Sequence, residues 1–90
     1  MGIALIKLRI MPVSPDTDLQ EIKVHAEAVL KKKNARGISF EEMPIAFGLK
    51  AVIASFNIDE SEELEIIESA IAGIKNVQSV HVDDMRRAIG

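Results

Sequence analysis

The sequence predicts an α+β fold, a four-stranded antiparallel sheet with two helices on one face, in the order βαββαβ. Three observations predict it. Residues 3–13 alternate apolar and polar. Two stretches, near 19–33 and 62–75, carry apolar stripes at helical spacing. Further strand-like runs flank the helices, at 38–58 and 77–82. At 90 residues the chain has room for one domain, and its 48% apolar content is ample for one core.

In the first strand, Ala4, Ile6, Leu8 and Ile10 face one side, while Lys7 and Arg9 face the other. "MPVSPDTD" ends it with prolines and small polar residues. Asp18 followed by Glu21 is a capping-box pattern, so a helix starts there. Its stripe is Leu19, Ile22, Ala26, Val29 and Leu30. Lys31, Lys32 and Lys33 suit its negative end, and Asn34 and Gly37 are its stop signals.

Ile38 and Phe40 open the second strand. Met43, Ile45 and Phe47 then alternate in the opposite parity, so a bulge or an early end is expected at Glu41–Glu42. Residues 49–58 form the third strand, with Val52, Phe56 and Ile58 inward. Asp59 with Glu62, or Ser61, supplies a cap for the second helix, whose stripe is Leu64, Ile67, Ile71 and Ile74 and whose end falls at Asn76. The last strand covers 77–82, with Val80 and Val82 inward. The polar remainder, "DDMRRAIG", is expected to be a tail that contributes little to folding.

This order is that of the ferredoxin-like sandwich, with strand order 4-1-3-2. Lys7, Arg9, Ser55, Asn57, Ser79 and His81 then lie on the open face. The turn holding Phe47 and the C-terminal tail fall at opposite ends of the sheet. Strands of six or seven residues would separate them by roughly 20 Å.

Composition narrows function. Eleven basic residues against fourteen acidic give a net charge of -3, which argues against broad nucleic-acid binding. The absence of cysteine excludes disulfides and thiolate metal sites. "MGIALIKLRI" is too short an apolar run to span a membrane and has no cleavage pattern, so a cytoplasmic protein is expected. His25 and His81 lack ligand spacing. Glu41–Glu42 and Asp83–Asp84 are adjacent pairs whose members point to opposite sides of an extended chain, so neither makes an acid–base dyad. No phosphate loop or nucleophile motif is present. Phe47 admits two readings: a core ring in step with Met43 and Ile45, or an exposed aromatic anchor beside Gly48. Arg86 and Arg87 are either part of a frayed end or a cationic finger.

Three stretches together resemble the elongation factor 1-beta family, the nucleotide exchange factors of the GTPase that delivers aminoacyl-tRNA. "MPIAFGLKA" resembles its Pro-Ile-Gly-aromatic-Gly-Ile-Lys segment. "NVQSVHVDDMRRAIG" resembles its "VQS" strand and basic ending, and "LRIMPVSPDTDLQEI" its first strand, Pro-containing turn and helix start. The resemblance spans nearly the whole chain and is to the archaeal form, which consists of the exchange domain alone. The scaffolding extensions of the eukaryotic subunit are therefore not expected. It implies a guanine nucleotide exchange factor, monomeric, without covalent chemistry, cofactor or metal, and without direct contact to nucleic acid or membrane. It also implies that Phe47, with Ile45 and Gly48, docks on the β-barrel second domain of the GTPase. The C-terminal end would enter the nucleotide-binding domain between the switch regions. A lysine there disturbs the Mg²⁺ site in the family; Arg87 aligns with it, Arg86 is its neighbour, and Met85 matches the apolar position two before it. Ala46 departs from the family glycine before the aromatic.

Three other readings compete. The first is a small-molecule-binding regulatory module of the same fold. An acylphosphatase-like enzyme would need Gly and Arg in the first loop, which "MPVSPDTD" lacks. An RNA-binding sheet would need aromatic platforms on the open face.

Overall fold

The computed structural model describes residues 2–88. The elements are β1 (Ile3–Pro12), α1 (Leu19–Lys32), β2 (Arg36–Pro44), a tight turn at Ala46–Gly48, β3 (Lys50–Asp59), α2 (Leu64–Ala72) and β4 (Val77–Ala88). They form one antiparallel sheet in the order β2-β3-β1-β4, the ferredoxin-like sandwich. The core lies between the sheet and the helices. Ile6, Leu8 and Ile10 of β1 and Val52, Phe56 and Ile58 of β3 meet Ile22, Ala26 and Leu30 of α1 and Ile67 and Ile71 of α2.

Asp18 caps the start of α1 as its sequence predicts, but its Oδ1 accepts from the Gln20 backbone N–H, at 3.0 Å, and not from that of Glu21 as in a capping box. Its end is a Schellman motif. Asn34 takes the left-handed conformation (φ 64°), the Ala35 N–H donates to the Leu30 carbonyl at 2.9 Å, and the Asn34 N–H to the Lys31 carbonyl at 3.1 Å. Gly37 has no part in this stop. It lies inside β2 at φ 61°, where the register with β3 shifts between Arg36 and Ser39.

The expected break at Glu41–Glu42 is absent. Pairing with β3 runs unbroken from Ser39 to Pro44. Glu42 keeps the parity of Phe40 and faces the helices, opposite Val52, where Lys23 of α1 donates to its Oε2 at 2.8 Å. Met43 therefore lies on the open face, opposite Ala51. The apparent switch of parity is an ion pair standing in an apolar position.

The cap expected for α2 is also different. Glu63 holds the N-cap position without a side-chain bond. Asp59 instead accepts from both the backbone N–H and the hydroxyl of Ser61, each at 2.9 Å, closing the turn after β3. The helix ends at Ala72, before Asn76, which adopts φ 70° in the turn into β4.

The largest correction concerns the C-terminus. Residues 83–88 are not a tail; they continue β4 along β1 to the pairs Ile6↔Met85, Leu5↔Arg86, Ala4↔Arg87 and Ile3↔Ala88. A register shift between Lys7 and Leu8 leaves Asp83 unpaired, which returns Met85 to the helix-side face already held by Val82. Val82 faces that side, opposite Leu8, but is 40% exposed, and Met85 is 60% exposed. Nine residues make α2 about 13 Å long, whereas twelve make β4 about 36 Å, so the helix cannot cover the outer strand. The open face holds the expected Lys7, Arg9, Ser55, Asn57, Ser79 and His81, but it is not wholly polar. Ile53 is buried there, and Ile3, Leu5 and Met43 are partly exposed.

Two predictions follow from these contacts. Removing residues 85–90 leaves Ile3 to Ile6, the first four residues of β1, without a partner on that side. At about 1 kcal/mol net per ladder bond, unfolding in urea should show a loss of about 2–4 kcal/mol. A loss under about 0.5 kcal/mol would return these residues to the status of a tail. The second concerns acid. The Lys23 hydrogen bond and charge hold the Glu42 carboxyl below its usual value, and the Ser61 backbone N–H does the same for Asp59. A carboxylate whose folded pKa is depressed stabilises the fold above its unfolded pKa. That contribution fades as pH falls through the folded value. Lys23→Gln should flatten this acid-side slope, read as the urea midpoint against pH, and leave the two proteins most alike at the acid extreme.

Candidate functional site

The turn between β2 and β3 is built to present one ring. The Ile45 N–H donates to the Leu49 carbonyl at 2.7 Å, and the Leu49 N–H to the Ala46 carbonyl at 3.3 Å. Between them Phe47 (φ 62°, ψ 32°) and Gly48 (φ 76°) are both left-handed, the geometry of a type I′ turn. Glycine adopts this freely; a phenylalanine gives up about 1–2 kcal/mol. Nothing among the described residues compensates by packing, because Phe47 is 94% exposed. Of the two readings left open by the sequence, the core reading fails. Alternation stops at the turn, so Phe47 is not in step with Met43. Ile45, at the base of the turn, is also exposed. Gly48 lies over Pro15 of the β1–α1 loop, where an added Cβ would come within 3.9 Å of the proline Cβ.

At the far end of the sheet stand Met85, Arg86 and Arg87. Alternation separates the two arginines. Arg87 lies opposite Ala4 on the helix-side face, together with Met85, whereas Arg86 lies opposite Leu5 on the open face. Each meets a carboxylate: Arg86 Nε lies 2.9 Å from Asp84 Oδ2, and Arg87 Nε lies 3.1 Å from Glu60 Oε1. β3 alone, ten residues from Lys50 to Asp59, separates the two ends by about 30 Å, more than the shorter strands first expected would give. The molecule is 41 Å in its longest dimension.

Two further ion pairs lie elsewhere among the described residues. Asp83 pairs with Arg9 at 3.6 Å, and Lys31 with Glu27 at 3.6 Å along one face of α1. Among the described residues no group of three or more His, Asp or Glu side chains is placed to hold a metal ion. No helix of the described residues is long and apolar enough to cross a membrane.

Comparison with known proteins gives the family. The family model of the EF-1 guanine nucleotide exchange domain matches residues 5–88. The chain belongs to this family. Among its relatives, elongation factor 1-beta of Methanobrevibacter smithii is 41% identical over 88 residues, covering 97% of this chain and 98% of that protein. Elongation factor 1-beta of Methanosarcina barkeri is 40% identical over 88 residues, 97% and 99% of the two chains. That of Methanosarcina acetivorans is 41% identical over 83 residues, 91% and 93%. Membership of the exchange-domain family decides against the regulatory-module and acylphosphatase-like readings.

Sequence reasoning missed Glu60. It singled out Asp59, Ser61 and Glu62 as cap candidates and passed over the residue between them, and nothing in the spacing points to a partner 27 positions further along the chain. The strained turn generates its own prediction. Phe47→Gly relieves the left-handed penalty without emptying any core space, so it should raise stability by about 0.5–1 kcal/mol or leave it level. Urea titration checks this, and a marked loss would mean that the ring packs against the domain.

Proposed function

We propose that this exchange domain promotes GDP release from the elongation GTPase of the EF-1α type by bridging two of its domains. Phe47, flanked by Ile45 and Gly48, is the anchor at one end of the sheet. Arg87, with Met85 beside it, is the intruding group at the other. The observation that carries this reading is the fully exposed ring of Phe47, held in a strained turn about 30 Å from Arg87. Strain kept without any packing return in the free protein fits a ring whose partner lies outside it. Arg87 is favoured over Arg86 because it shares its face with Met85, which offers uncovered apolar surface next to the cation.

The mechanism needs no covalent step. Mg²⁺ and the nucleotide phosphates hold the switch regions of a GTPase in one arrangement. A partner that binds the nucleotide-free arrangement better weakens nucleotide binding by the same factor, because the two equilibria are linked. A guanidinium brought to the Mg²⁺ site competes with the metal for its carboxylate and phosphate ligands. The protein acts as a monomer in the cytoplasm, with no direct contact to nucleic acid or membrane.

Stopped-flow release of a fluorescent GDP analogue, with binding measured separately, tests the two ends. Phe47→Ala should weaken binding to the GTPase by more than about 2 kcal/mol, as buried interface aromatics do, with the melting temperature unchanged or slightly higher. Arg87→Ala should slow GDP release while binding through Phe47 persists, and Arg87→Lys should retain much of the activity if charge matters more than the planar fork. Full exchange by Arg86→Ala/Arg87→Ala would remove the cation from the mechanism.

A further inference from the structure

We propose that Glu60 is a latch that holds Arg87 back in the free protein, and that exchange requires the partner's anionic groups to displace it. The inference rests on Arg87 being the intruding cation. Three features of the structure support it. Arg87 on β4 and Glu60 after β3 are not on neighbouring strands; β1 runs between them. The ion pair therefore draws the Arg87 side chain inward across the sheet instead of outward past its end. The strand that it crosses carries Ala4 at this level, with a single methyl, and Gly2, just before that strand, has no side chain. Gly2 is also where the Glu60 carboxylate finds its space: a methyl group built on Gly2 overlaps Glu60 Oε1. Finally, Glu60 is held at its backbone. Its N–H donates to the Gly2 carbonyl at 3.0 Å, and the Asp59–Ser61 turn closes around it.

The latch is weak enough to open. The Arg87 side chain is 77% exposed and that of Glu60 34%, and ion pairs so exposed are screened by solvent and salt. A contact present in the free protein and lost in the complex lowers apparent affinity by the fraction of molecules left competent. For a pair of this exposure that factor is about two- to fivefold. The partner site that overcomes it must be more anionic than one carboxylate, as a cluster of phosphate oxygens and carboxylates around a divalent cation is.

The test compares Glu60→Gln and Gly2→Ala with the parent protein, using an archaeal EF-1α-type GTPase loaded with a fluorescent GDP analogue. The first removes the charge of the latch; the second leaves the charge and displaces the carboxylate. Both should lower the concentration needed for half-maximal GDP release by about two- to fivefold at low salt, with a smaller effect at high salt. In an Arg87→Ala background neither should change it. An unchanged or raised half-maximal concentration with Glu60→Gln overturns the latch, as does an effect that persists without Arg87. A second readout needs no GTPase. Nitrogen relaxation of the Arg87 Nε–Hε group should show greater mobility in Glu60→Gln than in the parent, and equal mobility overturns the contact itself. Parent-like GDP release by Arg87→Ala would instead overturn the exchange role of Arg87. The relaxation data separate that failure from failure of the latch.

Discussion

The double pairing of β1 is the constraint on which the rest depends. From Ile3 to Ile10 it is bonded to β3 on one side, and from Ile3 to Pro12 to β4 on the other. A strand flanked on both sides cannot shift register without moving its whole apolar set, Ala4, Ile6, Leu8 and Ile10, to the wrong face. This fixes β3 and β4 relative to each other and carries the positions of both proposed contact ends. Phe47 is placed by the start of β3, and Arg87 by the end of β4. Both strands take their register from the same ten residues of β1.

The two ends are prepared in opposite ways. At the turn, the backbone is strained and the side chain is almost wholly exposed, so binding through Phe47, as proposed, has only to bury the ring. Removing a phenylalanine side chain from water is worth about 1.5–3 kcal/mol. At the other end, the backbone is relaxed, paired strand, and it is the side chains that are engaged, Arg87 with Glu60 and Arg86 with Asp84. An anchor without a native partner binds in a single step. A cation with a weak native partner exchanges one carboxylate for a stronger anionic site, so it responds to the partner's charge as well as to its shape.

Much of this was legible in the sequence, because periodicity reports burial. The alternation of β1, the stripes of α1 and α2 and the inward set of β3 all lie over the core, and burial there follows period directly. Reading failed where polar residues occupy structured positions. Glu42 sits on the helix side because Lys23 reaches it, so charge pairing looked like a break in the strand. The C-terminal half of β4 carries charge on both faces because it is an outer strand beyond the reach of α2, so it looked like a tail. One clue was available. Val82 and Met85 are three apart, an odd spacing within one apolar face, and a bulge at Asp83 reconciles them. The turn was harder still, since a left-handed phenylalanine breaks local preference, and only the neighbouring glycine hinted at positive φ. Glu60 left no local trace, because its contact depends on three strands lying side by side.

The proposed bridging accounts for how so small an exchange domain acts on a GTPase. Linkage requires a difference in affinity between two states of the partner, and a difference requires that the binder not adapt to both equally. A flexible connection between Phe47 and Arg87 would let the two contacts form in any arrangement of the partner's domains, and nothing would be gained by moving them. The paired sheet removes that freedom. In the proposed bridging its ends stand about 30 Å apart, so both contacts are satisfied together in one arrangement of the partner, and that arrangement is stabilised at the expense of the one the nucleotide prefers. On that proposal, rigidity along the strands is part of how exchange works. The extension of β4 through residues 83–88 belongs to that rigidity, because it sets the cation at the end of a strand and not on a free tail.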